Sequence, residues 1–276
     1  KILWYKENLP EVYSKIDKIL QSNSFIAFKL TGQVSQDLSQ GYGLHCFDMR
    51  KGKWDEAMCK KLGIPMDFLP EIVSCDHVVG TVTKKAAEEC GLAVGTPVVA
   101  GGLDAACGTL GAGVIHPGET QEQGGQAGGM SICLDEYKAD PCLILGFHVV
   151  PDKWLLQGGT TGGGGVMRWF EREFADYERM MKKETGVSSL NQLNETAEKV
   201  AAGSDGVVFL PYMAGERAPI WDPDARGTFI GLNLNTNRAE MMRSIMEGAC
   251  YALRDNMNQA AAMGIHAQDI ICCGGC

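Results

Sequence analysis

The chain has 276 residues, 45% of them hydrophobic and 21% charged, with a formal net charge of -9. This composition fits a globular protein of two ordinary domains, and the negative charge argues against a nucleic-acid or anionic-membrane surface. No apolar run approaches the length of a membrane span.

In chain order, residues 1–30 read as helical, with Leu3, Trp4, Leu9, Val12, Ile16 and Leu20 on a rough stripe interrupted by Pro10. The segment 25–33 continues as helix or strand and stops at Gly32. Residues 52–64 form a short amphipathic helix ended by Gly63, and 68–73 are extended. Residues 83–91 read as a helix with Thr83 as N-cap and Gly91 as its stop.

The stretch "TPVVAGGLDAACGTLGAGV" (96–114) follows. Thr96 to Ala100 reads as a buried strand, Gly101 and Gly102 as the turn, and Ala105 to Leu110 as the start of a helix. Asp104 is thereby a lone carboxylate at the C-terminal end of a strand, where open α/β sheets bind ligands. The same residue could simply cap the helix.

Two strands around a glycine turn follow at 119–135. The segment 136–146 changes character and is the expected domain crossing. "WLLQGG" is a strand, 166–181 a helix, 206–213 a buried strand, and 215–227 an irregular loop. Residues 238–264 read as a long helix with apolar residues at 241, 245, 249, 252 and 253, and "DIICC" as a closing strand. The alternation is α/β. Three glycine clusters, 124–129, 158–165 and 274–275, suit either tight hairpins or close approach of backbone to a ligand. No dinucleotide fingerprint and no P-loop motif is present.

The eleven cysteines lack the spacing of a disulfide framework and read as reduced cytosolic thiols. Cys273 and Cys276 form the one C-x-x-C, without the second ligand pair a zinc site needs. Histidines 45, 77, 116, 148 and 266 show no metal-ligand spacing. Glu216 and Arg217 read as a buried structural ion pair, and Trp169 and Phe170 as helix core.

Several ordered motifs resemble the FGGY family of carbohydrate kinases. They are "KILWYKEN" (Lys1, Trp4, Glu7, Asn8), "LTGQ" (30–33), "GLDAACGTLGAG" (102–113), "LPYMAGERAP" (210–219) and "CGGC" (273–276). "GTFIGLNLNTNRAEMMRSIME" adds Gly227, Gly231, Glu240, Ser244 and Glu247. The resemblance implies an actin-like, ribonuclease-H-like two-domain α/β ATPase fold, incomplete at both ends. Residues 1–137 would be the later part of the sugar-binding domain and 138–276 the earlier part of the nucleotide-binding domain.

It further implies that Asp104 is the catalytic base, touching the substrate hydroxyl during phosphoryl transfer from ATP with Mg2+. Gly125 and Gln126 would belong to the phosphate loop, Gly164 and Arg168 to the second nucleotide segment, and Gly274 and Gly275 to the adenosine motif. No metal is assigned to protein ligands. The expected partner is a small sugar, a ketopentose such as xylulose from the likeness of "LPYMAGERAP" to xylulokinases. Nucleic acid and membrane are not expected, a homodimer is a candidate assembly, and the location is cytoplasmic.

Departures from the family pattern are Leu103 for Gly, Ala105 for Asn or Gln, and Gln126 and Ala127 for Thr and Ser. They keep open a second reading, a non-catalytic sugar or nucleotide sensor. Without the family's opening phosphate hairpin, the 276-residue chain alone is expected to be inactive.

Overall fold

A computed structural model describes residues 1–275; Cys276, and with it the Cys273–Cys276 pair, lies outside the described residues. The chain divides into two compact units. One comprises Lys1–Ile115, Leu134–Tyr137 and Gly146–Leu155, and the other His116–Cys133, Lys138–Leu145 and Leu156–Cys276.

In the first unit, helices Ile2–Asn8 and Pro10–Tyr13 are separated at Leu9, where proline supplies the first position of the second helix. Helix Ser22–Thr31 stops at Gly32, whose φ of 76° is the left-handed conformation a helix C-terminus often takes. Helix Glu56–Leu62 is started by the Asp55 carboxylate, which accepts from Met58 N–H, and ended by Gly63. Helix Lys84–Cys90 lies between the expected Thr83 cap and Gly91. Cys46, Cys59, Ile64 and Leu69 form a small core, with Ile2, Leu44, Trp54 and Leu62 packed on it.

The strand before Asp104 differs from the sequence reading. Pro97–Val99 pairs antiparallel with Val78–Thr81 in a two-stranded ladder, and Val78, Val94 and Val99 are exposed. Valine-rich composition reads as buried because β propensity does not distinguish a core strand from an edge hairpin.

The second unit holds most of a five-stranded sheet. Its order is Ile270–Gly274, Thr120–Gly124, Gly128–Leu134, Trp154–Thr160, Ile144–Phe147. The first pair is parallel, with Ile270 opposite Thr120 and Gly274 opposite Gly124. The second is an antiparallel hairpin. Val166, Phe170, Leu193, Phe209, Met242 and Ile245 form the main core, drawn from three helices and a strand.

One expectation is corrected here. The helix expected at 166–181 is two, Gly164–Phe174 and Asp176–Thr185, broken at Ala175. Ala175 is fully buried and its N–H bonds to Glu171 O at 3.3 Å; the Arg179 guanidinium donates to that carbonyl and to Arg172 O. A further helix, Ser189–Glu198, lies between this pair and the strand Val208–Leu210. The long helix is Arg238–Ala262; of the apolar positions read there, Ile245 and Ala252 are buried, beside Met242, Ser244, Gly248, Asn256 and Ala260.

Candidate functional site

Asp104 sits in the first unit as the first residue of helix Asp104–Gly111. It is not the N-cap: Leu103 is, and it contributes no side-chain cap. The exposed Asp104 carboxylate accepts from Ala105 N–H through Oδ1 at 2.7 Å. A carboxylate in the first helical turn is favoured by the helix dipole. One oxygen is left to the solvent side, the condition for taking a proton from a bound hydroxyl.

Tyr42 shares this neighbourhood. Burial, and after it the negative charge of Asp104, push its hydroxyl above the ordinary phenol value. The Cys107 thiol is likewise raised, first by burial and then by the charges of Asp37 and Asp104. His148 belongs to the same unit but is structural. Its Nδ1 accepts from Val150 N–H at 3.2 Å, which leaves the proton on Nε2 to be donated to Val114 O at 2.9 Å.

The expected nucleotide residues come together in the second unit. A cavity of about 500 Å³ is lined by residues that include Gly125, Gln126, Gly164, Arg168, Arg172 and Gly275. The turn Gly125–Ala127 joins the two strands of the hairpin, and Gly164 N–H and Gly165 N–H bond back to the carbonyls of Gly125 and Gln126 at 2.8 and 2.9 Å. Gly125 N–H bonds to Ala127 O and Gly275 N–H to Gly124 O, both at 3.0 Å. These glycines thus offer a ligand room rather than donors. Of the turn residues, Gln126 also lines the cavity, and no hydrogen bond from its peptide N–H to a described residue is present.

The glycines differ in what requires them. A side-chain carbon at Gly274 would lie 1.9 Å from Gly124 O, so the strand pairing itself demands glycine there. At Gly125 the nearest atom would be Ala127 O at 3.6 Å, and at Gly275 nothing lies within 4 Å. Nothing in the chain forbids a side chain at those two positions. Arg168 is exposed and paired with Glu171 at 3.2 Å. Arg172, also lining the cavity, is paired with Glu173 at 2.6 Å.

Glu216 is buried, but not in an ion pair with Arg217, which is exposed. Its carboxylate accepts from Thr160 Oγ1 at 2.6 Å, Thr161 N–H at 3.1 Å and Arg217 N–H at 2.7 Å. It therefore fixes the start of the glycine segment that leads to Gly164. The signature residues of the long helix are also structural. Asn237 and Glu240 form a reciprocal capping box. Glu247 accepts from Gly203 N–H, Ser204 Oγ and Arg243; burial alone would raise its carboxyl, but these bonds outweigh it and hold it below the usual range. Trp169 and Phe170 are core, as expected. No cluster of three metal-ligating side chains occurs among the described residues.

Asp37 escaped the sequence reading. It is fully buried with Ser39 and bonded to Asn23, Gln36 and Gln40. Its donors come from Asn23 and from within the run 36–40, and nothing local signals that its carboxylate is enclosed.

Residues 1–111 match the N-terminal domain, and residues 129–276 the C-terminal domain, of the FGGY family of carbohydrate kinases. The chain is 30% identical over 277 aligned residues to a xylulose kinase of Bacillus subtilis (strain 168), covering all of this chain and 54% of that protein. It is 31% identical to a gluconokinase of the same strain, over 92% of this chain and 50% of the relative. The solved xylulose kinase of Rhodospirillum rubrum superposes with a TM-score of 0.87 at 29% identity, over 99% of this chain and 54% of that one. The chain thus spans about half the length of the relatives it matches. With both domains matched in order and the actin-like α/β fold in place, the chain belongs to the FGGY family of carbohydrate kinases.

Proposed function

We propose that the whole protein transfers the γ-phosphoryl group of MgATP to a hydroxyl of a sugar, with Asp104 as general base. The observation that carries this reading is the exposed Asp104 carboxylate, with one oxygen uncommitted, at the start of a helix in a chain of this family. The sugar oxygen forms the new bond to phosphorus as the bond to the β-phosphate oxygen breaks. ADP leaves with that electron pair, and the hydroxyl proton passes to Asp104. Alignment and neutralisation of phosphate charge supply most of the acceleration in such transfers.

The cavity of the second unit supports nucleotide binding by its residues. The N–H of Gln126 suits a phosphate oxygen, Arg168 and Arg172 offer guanidinium donors once they exchange their glutamate partners for phosphate, and Gly125 and Gly275 leave space. Magnesium enters as part of MgATP, held largely by phosphate oxygens. The sugar class favoured is a ketopentose, from the xylulose kinases among the relatives and the "LPYMAGERAP" segment.

The test is Asp104→Asn in the whole protein. It should lower kcat by about 10²–10⁴ with nucleotide affinity unchanged. Near-normal turnover by the variant of whichever of xylulose, gluconate and glycerol the unaltered protein accepts would overturn the assignment. Sugar or nucleotide binding by the unaltered protein without any turnover would favour the sensor reading, to which the altered phosphate loop at Gln126 and Ala127 lends its weight.

A further inference from the structure

We propose that Asp37 and Ser39 are positioning residues for Asp104, a buried carboxylate–hydroxyl pair that fixes the backbone from which the base projects. The inference rests on the reading of Asp104 as the base.

Asp37 is 0% exposed, and an isolated buried carboxylate is costly unless its oxygens are bonded. Both are. Oδ1 accepts from Ser39 Oγ at 2.5 Å and Gln40 N–H at 3.0 Å, and Oδ2 accepts from Asn23 Nδ2 and Gln36 Nε2, each at 2.8 Å. Two of these partners reach past Asp37 to the segment that ends at Asp104. Ser39 Oγ accepts from Leu103 N–H at 2.8 Å, and Asn23 Nδ2 also donates to Ala100 O at 3.1 Å. The segment Ala100–Leu103 is gripped at both ends by bonds that converge on one carboxylate.

Between the two grips the backbone is packed tightly. A side-chain carbon at Gly102 would lie 2.4 Å from Val149 Cγ1 and 3.1 Å from Ser39 Oγ. The backbone two residues before Asp104 is therefore held in close contact with Val149 and Ser39. The bond to Gln40 N–H also starts the turn Leu38–Leu44, which carries Tyr42, the phenol that senses the charge of Asp104. A carboxylate that only stabilised its own loop would have no need to reach Ala100 and Leu103, more than 60 residues further along the chain. Small errors in the placement of a reacting group cost disproportionately: about 1 Å is worth on the order of 10²-fold in rate.

The experiment uses the whole protein with MgATP and the panel of D-xylulose, D-gluconate and glycerol. Ser39→Ala removes the acceptor for Leu103 N–H. It should lower kcat by about tenfold or more while both KM values stay within about twofold. The double variant Ser39→Ala with Asp104→Asn should be no slower, within about twofold, than Asp104→Asn alone, because Ser39 acts through Asp104. If Ser39→Ala lacks a cooperative melt, Asn23→Ala, which releases the Ala100 grip, is judged by the same criteria. Near-normal kcat in a folded variant, losses that add to those of Asp104→Asn, or parallel worsening of kcat and both KM values would each overturn the proposal. If Asp104→Asn itself turns over normally, or the unaltered protein phosphorylates none of the three, the base reading fails first and this inference falls with it.

Discussion

Glu216 accepts the hydroxyl proton of Thr160 at 2.6 Å, from a position where it is 5% exposed. The two residues are 56 apart in sequence, and their bond ties the loop after strand Val208–Leu210 to the end of strand Trp154–Thr160. Glu216→Ala would leave the Thr160 hydroxyl and two peptide N–H groups without this acceptor. A loss of about 2–4 kcal/mol is expected, since each stranded buried donor costs about 1–3 kcal/mol and partial relaxation recovers some of it. Glu216→Gln keeps one oxygen and should lose less. Denaturant unfolding of both variants checks the order; equal stability of the alanine variant and the parent would refute the role.

The glycines around the second-unit cavity should separate by mechanism. Gly274→Ala forces a carbon against Gly124 O and is expected to destabilise the chain by about 3 kcal/mol or more. Gly125→Ala and Gly275→Ala meet no such obstacle and should shift stability by less than about 1 kcal/mol. Both should nevertheless weaken MgADP binding, measured by titration calorimetry, because the added methyl occupies space assigned to the nucleotide. Unchanged affinity in both would move the nucleotide elsewhere.

His148 gives a pH dependence whose sign is fixed. Burial holds its imidazole below the ordinary histidine value, although its bond to Val114 O works the other way. The unfolded chain takes up this proton near pH 6.5, whereas the folded chain does so only at lower pH. Below about pH 6.5 the unfolded state therefore binds more protons, and stability falls as pH drops through that window. Above it this residue contributes no slope. His148→Gln, whose amide N–H can reach Val114 O without titrating, should flatten the difference between denaturation curves at pH 7.5 and 5.5. An identical slope in the variant would exclude His148 as its source.

The thiols should divide by environment. Burial, and then a hydrogen bond with Cys46, push the Cys59 thiol up to about 11, so little thiolate exists at pH 8. Cys90 is exposed at the end of its helix. Native alkylation at pH 8 followed by mass spectrometry should label Cys90 early and leave Cys59 unmodified until the chain is denatured. Early labelling of Cys59 would show that its core opens readily.

What the sequence discloses here is mostly local. The cap at Thr83 and the stop at Gly91 were legible because a cap is a bond between residues three apart, and left-handed φ is a property of one residue. The glycine turn at 124–129 was legible for the same reason. The break at Ala175 was not, because neither proline nor glycine marks it and the residue that serves it is Arg179, four positions on. The placement of Asp104 beyond a strand could be read, but the exposure of that strand depends on what packs over Val78 and Val99, which no local pattern records. Asp37 was the least readable. Its burial is decided by Asn23 and by the backbone at 100–103, and a polar run carries no mark of distant donors.

The parallel pairing of Ile270–Gly274 with Thr120–Gly124 has a consequence in time. Partners in that ladder are 150 residues apart, as Ile270 opposite Thr120 shows, so closing it means closing a very long loop. Pairings of such separation form late in folding, after local hairpins and helices. The hairpin 120–134 can form within microseconds of its synthesis. The wall contributed by Gly275 cannot join it until more than a hundred further residues have left the ribosome. The cavity therefore cannot be complete before this long-range ladder has closed, and competence to hold a nucleotide would report that the pairing of Ile270–Gly274 with Thr120–Gly124 is in place.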